Sequence, residues 1–241
     1  EKSKDYVTNI KLFVLNNSMI KKILNLGFPS AMQMFFEVAI FTAAIWLSGL
    51  LGKNPQAANQ IALNLSSMTF MVAMGLSVAA MVRVGNQKGL RDFKELRRIA
   101  FSIFLLGLGL AFIFAILFLV FHKMLPTIYV DLDDASNFID NTEVVSIAAT
   151  LLIASAIFQL SDSAQVIFLG ALRGLQDVKI PTLITFIAYW IIGFPISYFL
   201  GKEDAYGSFG IWLGLLVGLT SAAILLYMRF NYLTKRLISQ E

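Results

Sequence analysis

Six long apolar stretches, each sufficient to cross a lipid bilayer, constrain the fold of this 241-residue chain more than any other feature. A transmembrane helix needs roughly 20 mainly apolar residues. The stretches are continuously apolar and do not alternate, which argues against the strands of a transmembrane β-barrel. The sequence therefore predicts an all-α membrane protein, folded as a bundle of six helices. The predicted spans lie at about 26–51, 57–82, 99–121, 144–172, 181–200 and 209–230.

The composition supports a membrane protein and narrows the possible chemistry. Only 14% of the residues are charged, whereas soluble domains carry about 25%. Cysteine is absent and His122 is the single histidine, which excludes disulfides, thiolate metal sites and histidine clusters. The sequence also lacks a phosphate-binding glycine loop and a serine elbow. We therefore do not expect an enzyme.

Lysine and arginine are concentrated on one side of the predicted bundle. The N-terminal segment, the connections 83–98 and 173–179 and the C-terminal tail together hold 16 of the 19 basic residues. The opposite side holds Lys53, Lys123 and Lys202 together with seven acids. Since basic loops stay on the cytoplasmic side, both termini are predicted to be cytoplasmic. Nucleic-acid binding is disfavoured, because aromatic residues are scarce in these loops and no binding motif occurs.

Proline and glycine predict where several helices begin, end or bend. Pro29 is predicted near the start of the first helix, where a missing N–H is tolerated. Gly85 and Gly174 are predicted to follow the second and fourth helices as C-caps. Pro195 lies inside the fifth span, where it should kink or locally open the helix.

Two acids at membrane depth are the strongest functional signal in the sequence. Glu37 lies in the first span and Asp162 in the fourth, and neither span supplies a basic partner at that depth. A charge at the bilayer centre costs on the order of 2.5–3.5 kcal/mol, so such residues usually serve a function. Two neighbouring carboxylates favour a proton on one of them or a cation between them. The sequence therefore predicts a coupling-ion site, with neutral buried acids as the alternative.

Polar and aromatic side chains in the same spans predict an internal cavity beside the acids. The alternatives are hydrogen bonding between helices for the polar residues and lipid contact or core packing for the others. The candidate cavity-lining residues are Gln33, Phe36, Phe41, Asn64, Met68, Phe158, Gln159 and Tyr189.

Four segments match a known family in order and at the family's spacing. The matching segments are GFPSAMQMFFEVAIF (27–41), AANQIALNLSSMTFMVAMGLSVAAMVRVGNQKG (57–89), FQLSDSAQVIFLGALRGLQDVKIP (158–181) and YWIIGFPISYFLG (189–201). With them the chain resembles the C-terminal half of multidrug and toxic compound extrusion (MATE) transporters. The third and sixth spans match mainly in length and position.

The resemblance implies that this chain is one half of a twelve-helix transporter built from two six-helix lobes. It implies a cytoplasmic interlobe linker or interfacial segment at 1–22, the C-terminal lobe at 23–236 and a cytoplasmic tail at 237–241. The expected partners are the lipid bilayer, organic-cation drugs and the N-terminal lobe, in a multi-pass protein of the bacterial inner membrane.

The resemblance also implies a function, namely secondary active multidrug efflux by alternating access. Na⁺ or H⁺ would be exchanged for organic cations and other xenobiotics, with no further cofactor. Glu37 and Asp162 match the family acids associated with cation binding, and would ligate Na⁺ if sodium is the coupling ion. Two alternatives stay open: a lipid-linked-sugar flippase, which would be expected to have a basic cavity, and a non-transporting membrane fragment. The sequence does not choose between Na⁺ and H⁺ and does not name the drug.

Overall fold

The computed structural model describes residues 16–130 and 138–240. Within these two ranges, six helices are long and apolar enough to cross a membrane, which confirms the predicted fold class. We number them in chain order. They are α1 (Asn17–Leu50), α2 (Lys53–Leu90), α3 (Phe93–Phe121), α4 (Phe138–Gly174), α5 (Lys179–Leu200) and α6 (Gly207–Ile238).

Most helices extend well beyond the predicted apolar spans. α1 begins at Asn17, because the side chain of Asn16 accepts hydrogen bonds from the first backbone N–H groups and caps the helix. Residues 17–22 therefore belong to α1, whereas 1–15 lie outside the described residues. The interlobe-linker interpretation of 1–22 stays a prediction. At the other end of the chain α6 continues to Ile238, past the predicted span.

Two predictions from proline and glycine are wrong, for different physical reasons. Pro29 lies inside α1 rather than at its start, and the hydroxyl of Thr182 on α5 donates to its carbonyl at 2.8 Å. This bond ties α1 to α5 beside the proline. Gly85 does not cap α2, which continues to Leu90 and ends at Arg91 with φ of 61°. Gly85 faces Gly174 of α4, and it is Gly174 that close packing requires, since a Cβ there would be 2.5 Å from the carbonyl oxygen of Met81.

α4 is the central helix of the bundle and packs against α2, α3 and α6. α2 and α4 approach closely at Gly170, where any side chain would collide with the backbone carbonyl of Ser77. The hydroxyl of Ser77 in turn donates to the carbonyl of Val166 at 2.6 Å. Small residues that let helix backbones touch are the usual basis of packing in membranes. This contact fixes the face that α4 presents to the rest of the bundle.

α5 is not a uniform α-helix. Its residues Ile187–Gly193 are wound as a π-helix between the α-helical parts Lys179–Phe186 and Phe194–Leu200. The π-helical segment ends two residues before Pro195, which confirms the predicted local opening, since proline supplies no N–H to the preceding turn. Gly193 lies against Gly218 on α6, where a Cβ would be 3.2 Å from the facing Cα.

The ends of α2 and α4 are joined on the side where both helices begin. Lys53 bonds Asp140 at 2.5 Å, and the amide of Asn54 donates to Asp140 and to Glu143. A short 3-10 helix, Leu125–Ile128, follows α3 on the same side. These contacts hold the α2–α4 pair in register at one end, while Gly170 holds it toward the other end.

Candidate functional site: an acidic cavity between α1, α2 and α4

An open cavity of about 370 Å³ lies between α1, α2 and α4. This volume is within the range of small-molecule sites, about 300–1,000 Å³. Its wall is mainly apolar, with aromatic and methionine side chains that include Phe70 and Met74. Five residues predicted for the site line this cavity: Glu37, Phe41, Asn64, Phe158 and Asp162.

The two predicted acids lie in the wall of one cavity but differ in their surroundings. Glu37, on α1, is half-buried and borders the open space. Asp162, on α4, is only 5% exposed. Its Oδ1 atom has no hydrogen-bond partner within the part of the chain that the structure describes. The sequence predicted the shared location, and the difference in burial comes from the central position of α4.

The structure adds a basic residue that the sequence analysis assigned to a loop. Arg173 lies in the last turn of α4 and lines the same cavity as the two acids. Side chains in a helix point toward its N-terminus, so this guanidinium is directed back into the bundle. α4 therefore supplies a basic group to the cavity wall, although its Cα lies eleven residues along the helix from Asp162. The signal was present in the sequence, since the eleven residues from Asp162 to Arg173 place both on one helical face after three turns.

Arg173 is held by an uncharged partner rather than by either acid. Its Nη2 atom donates to Oε1 of Gln33 at 2.7 Å, and Gln33 is 1% exposed. Among the described residues, no ion pair within 4.0 Å joins Arg173 to Glu37 or Asp162. The cavity wall therefore contains one guanidinium and two carboxyls that are not directly neutralised by it.

The other predicted cavity residues lie elsewhere, so the prediction that they line this cavity is not met. Gln33 is buried behind Arg173, and Phe36 packs on Phe186 of α5 with ring centroids 5.0 Å apart.

Met68 is 65% exposed on α2. Tyr189 is 1% exposed, within the π-helical part of α5. Gln159 faces a second, smaller void on the other side of α4. Hydropathy and spacing place these residues in the membrane spans, but the rotation of each helix decides what they face.

A contact from the connection after α3 reaches the cavity wall. The hydroxyl of Tyr129 donates to the side-chain carbonyl of Asn64 at 2.8 Å. Tyr129 follows the short 3-10 helix, so this connection covers one end of the cavity. Sequence analysis missed this contact, because a loop tyrosine gives no signal of the partner it reaches.

The model of the MatE family matches residues 29–199, which includes all the helices that line the cavity. The chain belongs to the MatE family. Multidrug resistance protein MdtK of Proteus mirabilis is 38% identical over 237 residues, covering 97% of this chain and 50% of that protein. MdtK of Yersinia enterocolitica is 40% identical over 222 residues, covering 90% of this chain and 47% of that protein. The chain thus spans about half the length of these MatE relatives.

Solved structures of MATE transporters share the fold. An outward-facing multidrug resistance MATE transporter aligns with a TM-score of 0.81 at 15% identity, covering 96% of this chain and 50% of that one. The eukaryotic MATE transporter AtDTX14 aligns with a TM-score of 0.77 at 19% identity, covering 94% and 51%. The six-helix bundle therefore corresponds to half of a MATE transporter, as the resemblance implied.

Proposed function

We propose that this MatE chain is the C-terminal half of a secondary active multidrug efflux antiporter, which exchanges Na⁺ or H⁺ for organic cations. The main support for the proposal is that Glu37 and Asp162 line the same cavity. Relatives that match 97% and 90% of the chain are multidrug resistance proteins, which supports drug efflux as the activity.

The charges of the cavity suit a single coupling cation. With both carboxyls ionised and Arg173 protonated, the three groups carry a net charge of about −1, because an arginine guanidinium keeps its proton. Uncompensated charge is costly in a low-dielectric environment, so one Na⁺ or one H⁺ restores neutrality. Carboxylate oxygens serve either ion, and Glu37 and Asp162 would be the Na⁺ ligands in a sodium-coupled transporter.

The apolar part of the wall suits a lipophilic organic cation. Phe41, Phe70 and Phe158 offer aromatic faces, while Met34 and Met74 offer adaptable apolar surface. Such a drug would replace the coupling cation near the carboxyls. Exchange then requires that the drug and the coupling ion prefer different arrangements of the helices.

The proposed partner is the N-terminal six-helix lobe of the same transporter. The cavity is open, and this chain spans about half of its MdtK relatives. We propose that the second lobe closes the cavity, that 1–22 is the linker between lobes, that 237–241 is a tail, and that both termini are cytoplasmic. Bacterial MdtK relatives support placement in the inner membrane.

The lipid-linked-sugar flippase is less well supported, although Arg173 supplies a basic group in the cavity. Its guanidinium is bonded to Gln33, and two carboxyls in the same wall oppose the binding of a pyrophosphate. The cavity therefore favours cations over anions. The remaining alternative, a fragment that transports nothing, is decided by the following experiment.

The test joins this chain to the N-terminal lobe of the Proteus mirabilis relative and measures ethidium efflux from inner-membrane vesicles. We expect efflux by the unsubstituted chain and its loss in Glu37→Gln and in Asp162→Asn. The exposed acids Glu203 and Asp204 supply matched controls, and Glu203→Gln and Asp204→Asn should retain efflux. Normal efflux in both cavity variants would refute the proposed site, and no efflux by the unsubstituted fusion would favour the inactive fragment.

The same vesicles identify the coupling ion. One set of vesicles receives an Na⁺ gradient without a pH difference, and a second set receives a pH difference without an Na⁺ gradient. The ethidium movement driven by each gradient is then compared. Efflux driven by one gradient alone assigns that ion, whereas efflux that depends on neither gradient contradicts antiport.

A further inference from the structure

A second void, separate from the open cavity, borders Asp162 on the side of α2 and α3. Its volume is about 10 Å³, roughly the smallest space that holds one water molecule. The wall from α2 and α3 is largely apolar and includes Gly107, Leu110 and Phe114. Its polar lining from α4 consists of Gln159, Asp162 and Ser163.

These three α4 side chains form one buried polar face. Positions 159, 162 and 163 are three and four residues apart, so they lie on the same side of the helix. They are 4%, 5% and 2% exposed, respectively. Within the described residues, both polar atoms of Gln159, the hydroxyl of Ser163 and Oδ1 of Asp162 lack a hydrogen-bond partner. Such buried groups are normally paired with protein or with ordered water.

We propose that this void is a binding site for one water molecule, hydrogen-bonded by Gln159, Asp162 and Ser163. A water has two protons to donate and two lone pairs to accept with. It can donate to Oδ1 of Asp162 and to the amide oxygen of Gln159, while its two lone pairs accept from the amide N–H of Gln159 and from the hydroxyl of Ser163. One water thus satisfies all four unpaired atoms.

The coordination that the void offers favours water over a dehydrated Na⁺. Hard cations in proteins are surrounded by several oxygen ligands, about six for Ca²⁺ and Mg²⁺. The α4 face supplies three side-chain oxygens, and the α2–α3 wall is mainly methyl, methylene and aromatic carbon. The hydroxyl of Thr69, which also lines the void, already donates to the carbonyl of Ser66 at 2.8 Å.

The water gives Asp162 a polar contact on the side opposite to the open cavity. Asp162 is the one acid that lines both spaces. Its carboxyl is therefore oriented by the water on one side while the coupling ion reaches it from the other. This functional role rests on the proposed antiport, whereas the presence of the water does not.

Gly107 provides a way to remove the water without altering its ligands. A Cβ at Gly107 would enter the void, 3.2 Å from the hydroxyl oxygen of Ser163, and would collide with the Cδ1 methyl group of Ile167, which must then shift. Gly109, two residues further along α3, has nothing within 4 Å of the position of a Cβ. The variants Gly107→Ala and Gly109→Ala are therefore a matched pair on one helix.

The decisive experiment is a structure of the full chain in lipid nanodiscs, at a resolution that shows ordered water, in Na⁺ buffer and in choline buffer. We expect a density peak within hydrogen-bond distance of Gln159, Asp162 and Ser163 in both buffers and in Gly109→Ala. The peak should be lost in Gly107→Ala. Its absence from the unsubstituted chain, or its disappearance in choline buffer as expected of Na⁺, overturns the proposal.

A second measurement covers the case in which Gly107→Ala does not fold. Radiolysis in ¹⁸O-labelled water places ¹⁸O on side chains beside bound water, here Leu110 and Phe114. Labelling of these residues should fall to background in Ser163→Ala combined with Gln159→Met, and should persist in Gly109→Ala. Equal labelling in the double variant and the unsubstituted chain overturns the proposal.

The outcomes separate this inference from the proposed antiport. Loss of efflux in Asp162→Asn without a water peak retains the antiport and rejects the water. A water peak together with normal efflux in Asp162→Asn retains the water and rejects the antiport.

Discussion

α1 and α4 each contribute one acid to the cavity, yet the two helices are held very differently. In the most apolar part of each helix, 22% of the residues of α1 are buried, compared with 56% for α4. α4 is fixed by backbone contacts at Gly170 and Gly174, whereas Gly27 of α1 has no neighbour within 4 Å of a Cβ position. Asp162 therefore lies on the central, closely packed helix, and Glu37 lies on the least buried of the three helices that line the cavity.

This difference suggests how ion binding acts on the lobe. A cation shared by the two carboxyls would draw the loosely packed helix toward the central one, because the central helix has no room to move. A ligand shifts an equilibrium only when it binds the two states differently. In the proposed transporter, α1 is accordingly the helix whose position should respond to the coupling ion.

The largest expected effect contrasts glycines of the two helices. Gly170→Ala places a methyl group against the carbonyl of Ser77 and should destabilise the lobe by about 2–4 kcal/mol, the upper range for overpacking. Gly27→Ala should be neutral or stabilising by up to about 1 kcal/mol, because alanine favours the helix and the site is open. Thermal unfolding in detergent measures both, and equal destabilisation would contradict the difference in packing.

The next effect contrasts two aromatic residues of the cavity wall, one from each helix, whose rings pack edge to face with centroids 6.0 Å apart. Phe158 on α4 is 3% exposed and contacts Trp212 with ring centroids 5.4 Å apart. Phe158→Ala should cost about 3 kcal/mol of stability, near the lower end for buried aromatic truncation. Phe41 on α1 is half-buried, so Phe41→Ala should cost about 1 kcal/mol and act mainly on drug affinity. Stability and ethidium binding are measured on the same samples. A greater loss of stability in Phe41→Ala than in Phe158→Ala would show that α1, not α4, is the more firmly packed of the two helices.

A third prediction concerns the charge that the sequence analysis missed. Arg173→Gln removes the guanidinium and leaves the two carboxyls without a positive group in the cavity wall. We expect tighter cation binding by about tenfold, which corresponds to about 1.4 kcal/mol. Ethidium titration by fluorescence anisotropy in nanodiscs provides the measurement. Arg236→Gln, at the exposed end of α6, is the control. Weaker binding in Arg173→Gln would show that Arg173 acts through its bond to Gln33 rather than through its charge.

The smallest expected effect is at the end where α2 and α4 begin. Lys53→Ala removes the ion pair with Asp140, whose side chains are 78% and 39% exposed. Exposed pairs contribute little, because water and salt screen them. We expect no resolvable change in the unfolding temperature. When Lys53→Ala is combined with either glycine variant, Gly170→Ala on α4 should still be less stable than Gly27→Ala on α1. A shift as large as that of Gly170→Ala would show that this end, not the glycine contact, holds α4.

The fold was predictable because apolar length and the charge of the connections are local properties of the sequence. The two acids were equally predictable, since an ionisable residue in an apolar span is costly wherever the helix faces. The asymmetry between α1 and α4 was not predictable in the same way. In a membrane, lipid-facing and protein-facing surfaces are both apolar, so hydropathy does not separate a central helix from a peripheral one.

Arg173 shows a second limit of sequence reasoning. Arg173 was counted with the basic connection 173–179, which served the topology prediction. That count did not show the direction in which its side chain points. Its long side chain returns along α4 toward the bundle interior, while its Cα stays in the last turn of the helix. The eleven-residue spacing from Asp162 was the usable signal. Phe36 failed for the opposite reason, because its closeness to Glu37 along the chain did not fix the direction it faces.

The π-helical winding of Ile187–Gly193 has a consequence for motion within α5. A π-helical turn holds one more residue than an α-helical turn, and one residue corresponds to about 100° of rotation. A change of this segment to α-helical winding would turn Phe194–Leu200 about its own axis by roughly that angle. The Phe194–Leu200 part of α5 would then exchange the side chains that it offers to α6.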